Sequence, residues 1–150
     1  MAAQARILVI EDEWLIAADI EHRIQALGHR VIGPTRSLSA AFAVLRDQPF
    51  DAALLDVSLG DESSYPIADA LAKRGMPFCF ITSLALSQLP ERFRHCMHLQ
   101  KPFGGPALDE RIKALVSEAD QTGAISAGSA EPSAETTIIP ADVAAEPPKE

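Results

Sequence analysis

Ile7-Leu8-Val9-Ile10-Glu11-Asp12 is an unbroken apolar run that ends abruptly in two carboxylates. A run that is apolar at every position marks a strand buried on both faces, as in a parallel sheet covered by helices. The pattern recurs along the chain. Ala52-Ala53-Leu54-Leu55 ends in Asp56, Phe78-Cys79-Phe80-Ile81 ends in Thr82, and a stretch around Met97 and Leu99 ends in Lys101-Pro102-Phe103. In an open parallel sheet the carboxyl ends of the strands form the ligand crevice, so these residues converge although they are far apart in sequence. Carboxylates, a hydroxyl and a lysine gathered at one edge point to a divalent cation and a phosphoryl group.

Working outward, the segments between these runs carry helical periodicity. Ile16, Ile20, Ile24 and Leu27 predict a helix over 13–27, with Gly28 placed to close it. A short strand over 30–33 is expected to stop at Pro34, and Ser37 to cap a helix carrying Leu38, Ala41, Phe42 and Leu45 as far as Gln48. A strand over 51–55 leads into a polar loop over 56–64 with a Gly60-Asp61 turn, and a helix over 66–74 precedes Gly75. Between the strand at 78–82 and the strand at 96–100, Pro90 interrupts a pattern through Leu86, Leu89 and Phe93, so a short or irregular helix is expected. A last helix over 106–119 carries Leu108, Ile112, Leu115 and Val116 on one face. Strand followed by helix five times reads as an α/β protein with a five-stranded doubly wound parallel sheet, helices on both faces.

The chain has 150 residues and a net charge of -8, unevenly placed. Residues 1–118 carry 15 acids and 12 bases, a net of -3, whereas 119–150 carry six acids and one base, a net of -5. No basic face for a phosphate backbone follows from this, so nucleic acid is not an expected partner. No apolar stretch approaches the roughly 20 residues that span a bilayer, and Met1-Ala2-Ala3-Gln4 reaches the first strand too soon for a signal peptide. A cytoplasmic protein without membrane attachment is expected, with Cys79 and Cys96 as thiols of the core. The expected division is one domain over 1–119 and a disordered, acidic, Pro/Ala/Ser-rich tail over 120–150, in which Ile138-Ile139 is read as incidental.

A magnesium ion takes oxygen ligands: one or two carboxylates, waters and a phosphate oxygen. Glu11, Asp12 and Asp56 can offer that set. Asp56 stands alone at its strand end and is the candidate nucleophile, since a carboxylate can form an aspartyl phosphate. A metal on one side and Lys101 on the other would neutralise the transferring group, with Thr82 adding a hydrogen bond.

With these residues in view, 7–116, about three quarters of the chain, resembles the receiver domain of bacterial two-component response regulators. Receivers carry an acidic pair after the first strand, a phosphoacceptor aspartate after the third, Thr or Ser after the fourth and Lys-Pro after the fifth. Here these are Glu11 and Asp12, Asp56, Thr82, and Lys101-Pro102. The resemblance implies a flavodoxin-like (βα)5 fold and a main-chain carbonyl of Ser58 completing a Mg2+ site with Glu11, Asp12 and Asp56. It implies a phosphate-binding and switch set of Thr82, Ser83 and Lys101, and a cis bond before Pro102. The implied partners are a sensor histidine kinase or a histidine phosphotransfer protein, and a downstream protein target. Slow self-hydrolysis of the acyl phosphate is also implied.

Two positions depart from the usual pattern. His98 stands where receivers place a switch Tyr or Phe, three residues before the lysine. The segment from Pro77 to Thr82 is similar to a subfamily that lacks this aromatic and reads Pro-Phe-x-Phe-x-Thr-Gly-Tyr, as does Ser64-Tyr65-Pro66, but Ser83-Leu84 replaces Gly-Tyr. The departures bear on how phosphorylation is signalled, not on whether Asp56 accepts phosphate. The expected function is a stand-alone receiver that signals by protein contact or acts as a phosphate sink.

Other readings are weaker. A phosphorylation-independent docking module is the alternative, with the 83–84 and His98 region as its surface. A haloacid-dehalogenase-type phosphatase needs Asp-x-Asp after the first strand, which Glu11-Asp12-Glu13 does not supply, and no phosphate-cradling loop for flavin follows that strand. His22 reads as a solvated residue on the polar face of its helix, and His29, His95 and His98 form no metal spacing with the cysteines. Trp14 reads as a partly exposed aromatic beside the site.

Overall fold

The apolar runs become strands because each can hide both of its faces. In the computed structural model, which describes residues 4–122, β1 (Arg6–Ile10), β2 (Arg30–Thr35), β3 (Ala52–Asp56), β4 (Phe78–Thr82) and β5 (Met97–Gln100) form one sheet in the order β2-β1-β3-β4-β5. Every neighbouring pair in it is parallel. Four helices cover it: α1 (Trp14–Ala26), α2 (Leu38–Asp47), α3 (Tyr65–Lys73) and α4 (Gly105–Gln121). On one face Leu8, Ile10, Leu55 and Phe80 pack with Ala41, Leu45, Ile67 and Leu71 of α2 and α3. On the other, Ile7, Val9, Leu54 and Ile81 pack with Ile20 and Ile24 of α1 and Leu108, Ile112 and Leu115 of α4. The alternation of β1 and β3 between these two clusters is the period of two of a strand with helices on both sides.

The strand order reverses between β1 and β3, because the chain first steps outward to β2 and then returns to the far side of β1. Such a reversal leaves a crevice at the carboxyl ends of the two central strands. Glu11 and Asp12 follow one of those ends, and Asp56 is the last residue of the other.

The structure corrects several expectations. β2 does not stop at Pro34: it runs to Thr35 through a bulge, since Leu8 faces Ile32 while Ile10 faces Thr35. An edge strand tolerates this, because the missing N–H of proline need not belong to a ladder. The connection from β4 to β5 is short and irregular, as expected, and consists of two 3-10 turns, Leu86–Gln88 and Glu91–Phe93. Proline forbids continuation there, and Leu89 and Phe93 insert into the core instead. The polar loop after β3 holds a two-residue antiparallel ribbon, Ser58–Leu59 with Glu62–Ser63, turned at Gly60 with φ +65. Phe42, expected on the buried stripe of its helix, is 38% exposed, and Val44 is buried in its place. Cys79 is fully buried, which pushes its thiol up to about 12, whereas Cys96 is half-buried. α4 ends at Gln121, two residues beyond the expected limit of the domain, and the rest of the expected tail, with Ile138-Ile139, lies outside the described residues. No helix among the described residues is long and apolar enough to cross a membrane.

Candidate functional site

Ending β1 at Ile10 and β3 at Asp56 brings three carboxylates together: one oxygen from each of Glu11, Asp12 and Asp56 lies within 4.8 Å of the others. Lys101, which follows β5, reaches back over this group. Its Nζ donates to Asp56 Oδ2 at 3.1 Å and to Glu13 Oε1 at 2.9 Å. It also lies 3.2 Å from Glu11 Oε1, within ion-pairing range but outside hydrogen-bond geometry, so that buried oxygen has no hydrogen bond. The other oxygen, Oε2, accepts from the amide of Glu13 at 3.1 Å.

The electrostatics follow from burial. Glu11 is 1% exposed. Burial raises its pKa, the neighbouring Asp56 carboxyl raises it further, and the result is pushed up to about 7. Burial alone would lower the pKa of Lys101, but the hydrogen bonds from Glu13 and Asp56 and the charges of Asp56 and Glu11 outweigh it and the pKa rises. A group of three acids against one base at such depth carries an excess of negative charge, which a divalent cation would relieve.

The remaining expected residues fall into place unevenly. Asp12 is tied to the ribbon, its Oδ2 accepting from the amide of Gly60 at 2.8 Å. The amide of Ser58 donates to Asp56 Oδ1 at 3.3 Å. A cleft of about 800 Å³ opens over the group, lined among others by Asp12, Glu13, Asp56, Ser58, Ser83 and Lys101. The Lys101-Pro102 bond is cis. Thr82 reaches the same edge, but its hydroxyl accepts from the amide of Leu84 at 3.1 Å. His98 lies opposite Phe80 on β5, and its Nε2 is 3.0 Å from the carbonyl of Leu84. The carbonyls of Thr82 and Ser83 are held from the same strand end, by the amide of Lys101 at 2.8 Å and by the Gln100 side chain at 3.2 Å. The last carbonyl of β4 and the first two of the loop are therefore fastened to β5 and its end.

Sequence reasoning missed Glu13 as a partner of Lys101. The signal was present, in that a third acid directly follows the acidic pair, but nothing in the spacing shows which way its side chain turns. Leu15, 67% exposed, lines the cleft, and Trp14, 66% exposed, lies next to the lining residue Glu13 in sequence. His22 is exposed, and His29 accepts from the amide of Ala5 through Nδ1 at 3.0 Å, its pKa lowered by burial.

Comparison with known proteins places the geometry in a family. No protein-family model matches the chain. It is 35% identical over 122 residues, 75% of its length, to the phyllosphere-induced regulator PhyR of Methylorubrum extorquens, and spans 42% of that protein. It is 39% identical to SdrG from Sphingomonas melonis Fr1, covering 77% of this chain and 99% of that one with a TM-score of 0.68. With a receiver domain protein (CheY-like) from Methanospirillum hungatei JF-1, 21% identical, it shares the fold, covering 81% of this chain and 100% of that one at a TM-score of 0.69. The chain thus belongs to the receiver domains of two-component response regulators.

Proposed function

We propose that this receiver accepts a phosphoryl group on Asp56 from the phosphohistidine of a sensor histidine kinase or a histidine phosphotransfer protein, in the cytoplasm. The observation that carries the reading is the single lysine set against carboxylates from two strand ends, with one buried carboxylate oxygen, Glu11 Oε1, left without a hydrogen bond. That orphaned oxygen and an all-oxygen donor set suit Mg2+. Glu11, Asp12, Asp56 and the carbonyl of Ser58 would hold the ion, which would supply positive charge to the transferring group.

Asp56 attacks phosphorus in line with the nitrogen of the donor imidazole. The N–P bond breaks, an O–P bond to the Asp56 carboxylate forms, and the departing imidazole nitrogen keeps the electron pair and takes up a proton. Lys101, already against Asp56 and Glu11, neutralises the phosphoryl oxygens. Thr82 turns its hydroxyl from the Leu84 amide to the phosphoryl group, and slow hydrolysis returns the aspartate. Output runs through protein contact, or the receiver acts as a phosphate sink.

Intact mass after incubation with Mg2+ and acetyl phosphate tests this directly. A gain of one phosphoryl group in the wild type and none in Asp56→Asn is expected, and equal labelling of the two would refute the assignment. A second reading, a phosphorylation-independent docking module, is favoured by the fastening of the loop carbonyls of Ser83 and Leu84 to β5 and its end. It requires that the wild type gain no mass and that Trp14 fluorescence show no saturable response to Mg2+.

A further inference from the structure

Lys101 has three donor hydrogens and, in the resting protein, three acidic neighbours. Two of these are fixed: Glu11 and Asp56 are buried on or just after strands and cannot swing into water. The third, Glu13, is exposed, with 60% of its side chain open to solvent, and it makes the shortest contact, 2.9 Å. Its position adds a second observation. Glu13 is the residue just before α1, and its side chain makes no bond to the free amides of the first helical turn. Its carboxylate crosses instead to a lysine 88 residues away in sequence.

A phosphoryl group on Asp56 brings three further oxygens into the cleft that Glu13, Asp56 and Lys101 line together. Those oxygens need the donors of Lys101, and Asp56 no longer offers a free carboxylate. We propose that Glu13 is a positioning residue that holds Lys101 toward the mouth of the cleft and competes with the phosphoryl group for it, so that the Glu13–Lys101 contact is the one broken on phosphorylation. The inference rests on the phosphoacceptor reading above. Glu13 is then a brake: it lowers occupancy of the phosphorylated state without touching the reacting atoms. Asp12 and Asp19, which line the same cleft, add like charge but make no contact with Lys101.

The test uses beryllofluoride, an acyl phosphate mimic, titrated at saturating Mg2+ into the full chain and followed by fluorine NMR, with Mg2+ affinity measured separately. Glu13→Ala removes both charge and contact; Glu13→Asp keeps the charge but shortens the reach by one methylene. Both variants are expected to bind beryllofluoride about threefold to fivefold more tightly than the wild type, the worth of one exposed ion pair, with Mg2+ affinity unchanged. Unchanged or weaker binding by Glu13→Ala overturns the proposal. So does tighter binding by Glu13→Ala with wild-type behaviour in Glu13→Asp, which would assign the effect to charge at the mouth, and so does a parallel change in Mg2+ affinity. A wild type that binds neither Mg2+ nor beryllofluoride removes the phosphoacceptor reading itself, and this inference with it.

Discussion

The two ends of the sheet each bury a carboxylate, and they treat it in opposite ways. At the amino end Asp51, 2% exposed, accepts three hydrogen bonds from Arg6: from its amide at 2.7 Å, Nε at 3.1 Å and Nη2 at 2.9 Å. The amide of Asp51 donates back to the carbonyl of Arg6 at 2.8 Å. At the carboxyl end Glu11 is equally buried, one of its oxygens is orphaned, and three acids share one lysine among them. A buried charge with both oxygens hydrogen-bonded serves the fold; one left short of partners is an opening for a ligand.

The contrast can be broken most strongly at the amino end. Arg6→Met leaves the Asp51 carboxylate with a single main-chain donor, the amide of residue 6, and a buried pair cut on one side should cost about 3 kcal/mol in urea denaturation. Next comes pH. Glu11 titrates near 7 in the folded chain against an ordinary 4.5, so the folded state holds the extra proton between these values. The metal-free protein should therefore be favoured below pH 4.5 by this group and lose that stability as pH rises through 7, by about 1 kcal/mol between pH 6 and 8. Under the proposed Mg2+ site, saturating Mg2+ should flatten the slope, because a bound cation would keep Glu11 ionised in the folded state. Smaller still, Asp56→Asn should raise the melting temperature of the metal-free chain by a few degrees, about 1 kcal/mol, by removing the acid that crowds Glu11. Removal of an acid at the amino end, Asp51→Asn, should lower it.

The smallest effect sharpens the role of depth. Arg23 and Asp109 pair at 3.0 Å between α1 and α4, but with 35% and 24% of their side chains exposed. A Cβ at position 105 would run into the Arg23 guanidinium, so Gly105→Ala displaces this pair. A loss of about 0.5 kcal/mol is expected from thermal melts, a half-exposed pair being worth little.

Depth also explains what could be read from the sequence. β3 and β4 are buried at every residue, and an unbroken apolar run has no other reading. The convergence of Glu11, Asp12, Asp56 and Lys101 on one edge follows from strand direction alone. Contacts that depend on where a long side chain turns were not legible: Arg6 to Asp51 spans 45 residues, and Glu13 to Lys101 spans 88. Phe42 was misread because its helix buries Ala41, Val44 and Leu45, and a stripe that narrow leaves the aromatic ring outside. The two 3-10 turns were half visible: Pro90 announced the break, but not that Phe93 would turn inward to stack on Tyr65, ring centroids 5.5 Å apart.

An open sheet ends in two edge strands, each a row of main-chain groups onto which a strand from another molecule can add. Here β2 carries Pro34 within its bulge, and β5 is only four residues long, with the guanidinium of Arg111 seated on the carbonyl of His98 at 2.9 Å. Neither rim is a flat template. The expected consequence is colloidal: copies of this chain that collide at high concentration should meet side chain to side chain rather than strand to strand.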